Sequence, residues 1–232
     1  MYDVEIEALL NREIADFLEK EYAERGDKLY QWYRYRFLAA NNKALTETIG
    51  LGPHDRAIAR FVIERCPFAK RFVEVGAGVG QESILLAMMG KTTCAIEANV
   101  ENFTMMKRLV EHLAARLASD LPNRMTPIYD WYPTRAAEYV DSDTILAFPS
   151  LSWTLDAAQE RTIFDSLSAA GGVILSLYDF FTHRAEPAEQ EALVAQIRER
   201  GFEAPIEISS WEGANMGFRH DRHVFMRKSG GR

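Results

Sequence analysis

Apolar positions recur at two spacings along this chain, and the spacing changes near residue 70. Before that point Ile6, Leu10, Ile14 and Phe17 fall three or four residues apart, and Leu9 and Leu18 widen the stripe. That period predicts an amphipathic helix over residues 2–24. The aromatic-rich segment KLYQWYRYRFLAANN follows and is also expected to be helical. TIGLGPHD then breaks the pattern with two glycines and a proline, and HDRAIARFVIERC (54–66) reads as another helix.

Past residue 70, short apolar runs alternate with helical periods. RFVEV (71–75), TTCAIEA (92–98), RMTPIYD (124–130), DTILAF (143–148) and VILSLYDF (173–180) read as strands. Helices are expected over 81–89, 99–119, 155–170 and 186–201. Asn99 is placed to cap the second of these, Gly171-Gly172 to stop the third, and Pro187 to open the fourth. PIEISSW (205–211) and HVFMRK (223–228) suit an antiparallel hairpin at a sheet edge. Strand–helix alternation implies an α/β fold with a mostly parallel sheet covered on both faces. The first seventy residues lie outside the alternation and are expected to cover one end of the sheet.

Composition narrows the function classes. The chain has 232 residues, 47% of them hydrophobic, which is enough for one large α/β domain with a small appendage. A net charge of -7 argues against a nucleic-acid partner, with YRYR (33–36) and RHDRH (219–223) the only dense basic stretches. Cys66 and Cys94 lack metal-ligand spacing and are expected to be reduced structural thiols, which suits a cytoplasmic protein. The acidic, amphipathic N-terminus does not read as a signal peptide, and no apolar run is long enough to span a membrane.

The chemistry concentrates in RFVEVGAGVGQESILLAMMG (71–90). Gly76, Gly78 and Gly80 stand at alternate positions between the first strand and its helix. Glycines there let the backbone approach a ligand, and the helix start points free N–H groups at it. Glu97 ends the second strand about 20 residues on, where an acid can accept from ribose hydroxyls. A nicotinamide fingerprint would be G-x-G-x-x-G, but here the third glycine comes one residue early and position 81 is Gln.

Residues 54–228 resemble the class I S-adenosylmethionine-dependent methyltransferases. The resemblance implies a Rossmann-like, doubly wound, seven-stranded sheet with an antiparallel C-terminal hairpin and an N-terminal helical cap. It divides the chain into a cap or lid (1–53) and a methyltransferase-like domain (54–232). It also implies S-adenosyl-L-methionine as cofactor. Glu74 matches the acid that helps hold the methionine end, Gly76, Ala77, Gly78 and Gly80 the loop, and Glu97 with Ala98 the ribose site. Asp130 and Trp131 match the adenine side, and Phe148 and Pro149 the end of strand four. IEANVENF is also weakly similar to FkbM-type O-methyltransferases of sugars and natural products.

At strand four, FPSLSW departs from the [DN]-P-P-[YF] of DNA and some protein N-methyltransferases; strand four also ends without the acid, and strand five, with YDFF, without the acid–amide pair, of the metal-dependent O-methyltransferases. The expectation is therefore metal-independent in-line transfer to the oxygen or nitrogen of a small-molecule acceptor, with neither nucleic acid nor membrane as partner. A general base, if used, is sought among Tyr178, Asp179 and His183, with His220 and His223 near the last hairpin; loop-end histidines are more often solvated than catalytic. Tyr30, Trp32, Tyr33 and Tyr35 could form an aromatic lid, with Tyr30, Tyr33 and Trp153 against the acceptor. An NAD(P)-dependent oxidoreductase and a non-catalytic S-adenosylmethionine-binding protein remain the alternatives. The oligomeric state stays open, a homodimer included.

Overall fold

Five parallel strands form first in chain order: β1 (Arg71–Val75), β2 (Thr92–Glu97), β3 (Met125–Tyr129), β4 (Thr144–Phe148) and β5 (Gly172–Ser176). Two more, β6 (Ile206–Ile208) and β7 (His223–Arg227), complete one sheet in the order β3-β2-β1-β4-β5-β7-β6. β7 runs antiparallel to both β5 and β6, as the C-terminal hairpin pattern predicts. The computed structural model describes residues 1–25, 50–117, 120–132, 136–148, 157–176, 187–208 and 223–230.

The inner strands β1, β2, β4, β5 and β7 are buried at nearly every position because both faces are covered, whereas the edge strands β3 and β6 keep exposed positions. Alternate side chains of each strand feed separate cores. Phe72, Ile145, Ala147, Ile174 and Phe225 enter one. Its helices are α1 (Val4–Arg25), α2 (Pro53–Arg65), α3 (Gln81–Met88), α4 (Val100–Leu117) and the short α5 (Leu121–Arg124). Val73, Leu146, Val173, Val224 and Met226 enter the other, under α7 (Ala157–Leu167) and α8 (Pro187–Glu199), beside the short α6 (Ala136–Tyr139).

α1 realises the predicted stripe. Leu10, Ile14 and Leu18 are buried in the same cluster as Phe72, Ile84 and Leu109, so α1 lies on a helical face of the sheet rather than across its end. Ion pairs fix it to α4: Arg108 lies 2.6 Å from Glu21, and the Arg116 Nε donates to Glu13 at 3.1 Å. The Arg116 hydrogen bond holds the Glu13 carboxyl below its usual range.

Where they fall on described residues, the other element predictions lie close to the observed bounds; the helix expected over KLYQWYRYRFLAANN lies outside those residues. Asn99 caps α4, accepting from the N–H groups of Glu101 and Asn102 at 2.9 and 3.0 Å. Pro127 sits in β3, the outermost strand, where a missing donor costs little. The helices α5 and α6, four residues each, have no period to read and were not expected. Gly171-Gly172 does not stop α7, which ends at Leu167; Gly172 opens β5 instead. Both glycines answer crowding, since a Cβ on Gly171 would lie 2.0 Å from the Ser142 carbonyl oxygen and one on Gly172 2.6 Å from the Phe225 ring. Cys66 and Cys94 are buried and unpaired, and burial pushes the Cys66 thiol up to about 12.

Among the described residues no helix is long and apolar enough to cross a membrane. No group of three or more His, Cys, Asp and Glu among them could hold a metal ion.

Candidate functional site

β1 pairs with β2 on one side and β4 on the other, so the strand order reverses there. A crevice opens at such a point beyond the carboxyl ends of the strands. Glu74, Gly76, Ala77, Gly78 and Gly80 lie at the end of β1 and in the turn after it. Glu97 and Ala98 follow β2, Asp130 and Trp131 follow β3, and Phe148 ends β4. The sheet thus brings together residues from four segments spread over 75 positions of sequence.

The turn after β1 is left-handed at every second residue: φ is 73° at Gly76, 57° at Gly78 and 77° at Gly80. Its N–H groups are partly spent on holding it. Gly76 and Ala77 donate to the Ile96 carbonyl at 2.9 and 3.1 Å, and Gly80 donates to Ala77 at 2.8 Å. Gly80 caps α3 and has a packing reason to be glycine. A Cβ there would meet the Met106 sulfur at 2.7 Å and the Met125 methyl at 2.9 Å.

Glu97 clasps this turn to the end of β2. One carboxylate oxygen accepts from the Gly78 N–H at 2.7 Å and the other from the Asn99 N–H at 2.6 Å. The side chain is buried, which pushes its pKa up, while the N–H groups of Asn99, Gly78 and Ala98 pull it down. A carboxylate offers about four lone-pair sites, so beside these N–H groups Glu97 keeps acceptor capacity for a hydroxyl.

Glu74 faces inward. Its carboxyl accepts from the Ser83 N–H at 3.1 Å and the Ser83 hydroxyl at 2.5 Å, tying β1 to the first turn of α3. Burial pushes Glu74 up to about 8 against the hydrogen bond from the Ser83 hydroxyl, and the negative Asp55 adds to the rise. The Asp130 carboxylate accepts from the Trp131 N–H at 2.7 Å. Phe148 is fully buried, its ring edge-on to Tyr132 at 5.6 Å, so its side chain belongs to the core.

Tyr30, Trp32, Tyr33, Tyr35, Pro149, Trp153, Tyr178, Asp179, His183 and His220 lie outside the described residues. His223 is not a solvated loop histidine. It opens β7, is 2% exposed, and its ring stacks on that of His54 at 6.0 Å.

Sequence reasoning passed over a second set of polar groups beside the turn. His54 and Asp55 begin α2, with His54 Nε2 3.1 Å from Asp55, which also accepts from the Gly52 N–H at 2.6 Å. Glu82, in the first turn of α3, is 1% exposed. The only sequence signal for it was an acid near a helix start, which ordinarily means a solvated residue.

This chain has the class I methyltransferase fold: a doubly wound seven-stranded sheet with helices on both faces and a reversed seventh strand beside the fifth. No protein-family model matches the sequence, and a search of curated proteins finds no match. Solved structures match by shape. The methyltransferase domain of bacterial CtHen1 has 14% identity and a TM-score of 0.54, covering 75% of this chain and 98% of its own. Magnesium protoporphyrin IX methyltransferase from Synechocystis, solved with bound S-adenosylmethionine, has 13% identity and a TM-score of 0.53, covering 85% and 91%. The CcbJ methyltransferase from Streptomyces caelestis has 14% identity and a TM-score of 0.52, covering 78% and 97%.

Proposed function

We propose that this protein binds S-adenosylmethionine in the crevice at the carboxyl ends of β1 to β4 and transfers its methyl group to the oxygen or nitrogen of a small-molecule acceptor. The observation that carries the reading is the Glu97 clasp on Gly78, at the point where the strand order reverses, in a sheet whose last strand is antiparallel. Plain dinucleotide folds do not ordinarily add such a strand, and the turn has no third glycine at the spacing a pyrophosphate cradle uses.

The residues present fit the cofactor. Gly76 and Gly78 offer backbone without side chains for close approach, and Glu97 has acceptor capacity left for a ribose hydroxyl. Asp130 and Trp131 stand at the end of the neighbouring strand for the adenine. The cofactor supplies an electrophilic methyl group on a sulfonium, so the chain's task is mainly to hold acceptor and donor in line.

Calorimetry with S-adenosylmethionine and with NAD tests the assignment. Binding of the first and not the second is expected. NAD binding with no S-adenosylmethionine binding would establish the oxidoreductase instead. Product formation from a metabolite extract then separates an enzyme from a cofactor-binding protein without turnover.

Glu97→Ala is expected to weaken S-adenosylmethionine binding. Losing a charged acceptor costs about 1.5–3 kcal/mol, or roughly ten- to a hundred-fold in affinity. The variant should also melt earlier, because the Gly78 and Asn99 N–H groups lose their partner. Glu97→Gln, which keeps one acceptor oxygen, should recover part of the melting loss but not the affinity. Unchanged affinity in folded Glu97→Ala would remove Glu97 from the binding site.

A further inference from the structure

One polar side chain of α1 is joined to the glycine turn. The Asn11 Oδ1 accepts from the Leu51 N–H at 2.8 Å and from the Arg56 guanidinium at 3.2 Å. Arg56 also donates to the Leu51 carbonyl at 3.0 Å, and its Nε lies 3.4 Å from Glu7. The short segment before α2 is thereby held on α1.

Gly50 lies directly against Asn11. A Cβ on Gly50 would overlap the Asn11 Oδ1 and come within 2.8 Å of the Asn11 carbonyl oxygen. The Gly50 carbonyl in turn accepts from the Gln81 side-chain amide. Gln81 opens α3, immediately after Gly80, the last glycine of the turn. Asn11, Gly50 and Gln81 are far apart in sequence, yet they form one line of contact from α1 to the turn.

α1 has other means of staying in place. Leu10, Ile14 and Leu18 bury its apolar face, and Glu13 and Glu21 pair with α4. Asparagine is also a poor residue for a helix interior. What its side-chain oxygen fixes is the segment before α2 and, through Gly50, the Gln81 amide. Glu97 holds the turn from the β2 side at Gly78. The line from Asn11 holds its other end, at Gln81.

We infer that Asn11 is a positioning residue for the cofactor-binding turn, acting through Gly50 and Gln81 without touching the ligand. The ligand half of this inference rests on the S-adenosylmethionine reading. A ligand that needs the turn in one arrangement binds with an affinity scaled by the fraction of chains in that arrangement. Breaking the line lowers that fraction while every ligand contact remains available.

The test combines calorimetry with S-adenosylmethionine and amide hydrogen exchange of the ligand-free protein. Asn11→Ala is expected to weaken binding by roughly three- to ten-fold, the worth of one lost hydrogen bond. Asn11→Asp keeps an acceptor for Leu51 and Arg56 and should restore it. Gly50→Ala, whose methyl group presses the Asn11 side chain away, breaks the line by a second route and should show the same loss even where Asn11→Ala folds poorly. Asn11→Ala combined with Gln81→Ala should bind no more weakly than Gln81→Ala alone, because both cut one line. In the free protein, exchange over residues 76–84 should quicken in Asn11→Ala while that of β5 stays unchanged. Wild-type affinity in folded Asn11→Ala and Gly50→Ala, or losses that add in the double variant, would make the contact a brace of the fold alone and overturn the assignment. If wild type does not bind S-adenosylmethionine, the cofactor reading fails. The exchange comparison then decides the link to the turn by itself, and unchanged exchange over residues 76–84 overturns it.

Discussion

Gly78→Val is expected to abolish S-adenosylmethionine binding, with a loss of at least about a hundred-fold, and to lower the melting temperature as well. The binding loss follows from placing a branched side chain on the turn that meets the ligand. Sequence alone suggests at most a modest change in melting. The backbone says otherwise, since φ is 57° at Gly78. A β-branched residue is strained there by about 1–3 kcal/mol. In a chain of this size each kilocalorie is worth roughly 2–4 °C. Gly78→Asn separates the two effects, because asparagine tolerates the left-handed region. It should melt close to wild type and still bind poorly. Wild-type affinity in Gly78→Asn would show that the glycine serves the turn and not the ligand.

The second large effect is on stability against pH. Glu74 titrates at about 8 in the folded protein, and Glu82 well above its ordinary value, in both cases chiefly through burial. Unfolded, both return to about 4.3. A raised folded pKa means that the folded chain binds the extra proton. The stabilisation is fully present below the unfolded value and is lost as pH rises through the folded one. The melting temperature should therefore decline from about pH 5 to pH 8 and beyond, steeper than its other groups require. Glu82→Gln removes a titrating group with no partner, so it should flatten the decline and raise the melting temperature at pH 8. Melting scans of both proteins across pH 5–9 check this. A variant that melts below wild type throughout would mean that the Glu82 carboxylate is stabilising as it stands.

The alternation of apolar runs sufficed for the sheet and for most helices, because strands buried on both faces leave an unbroken apolar signature. It also sufficed for α1, whose stripe at Leu10, Ile14 and Leu18 carries the period of its buried face. The glycine turn and Glu97 were legible for a related reason. Backbone conformation at Gly76, Gly78 and Gly80 is a local demand, and local demands leave their mark in residue type.

What the sequence could not distinguish was the reason for each residue. Gly80 is pressed against Met106 and Met125, and Gly171 against Ser142, contacts made by positions far apart in the chain. Glu74 and Glu82 are both acids near one turn, yet one oxygen of Glu74 accepts from Ser83 while Glu82 has no hydrogen-bond partner among the described residues. Asp55 and His54 joined them only when α2 packed against α3 on one face of the sheet. Burial and the field of distant charges set the chemistry of a carboxyl. Both are properties of the packed chain, and tertiary structure alone decided them.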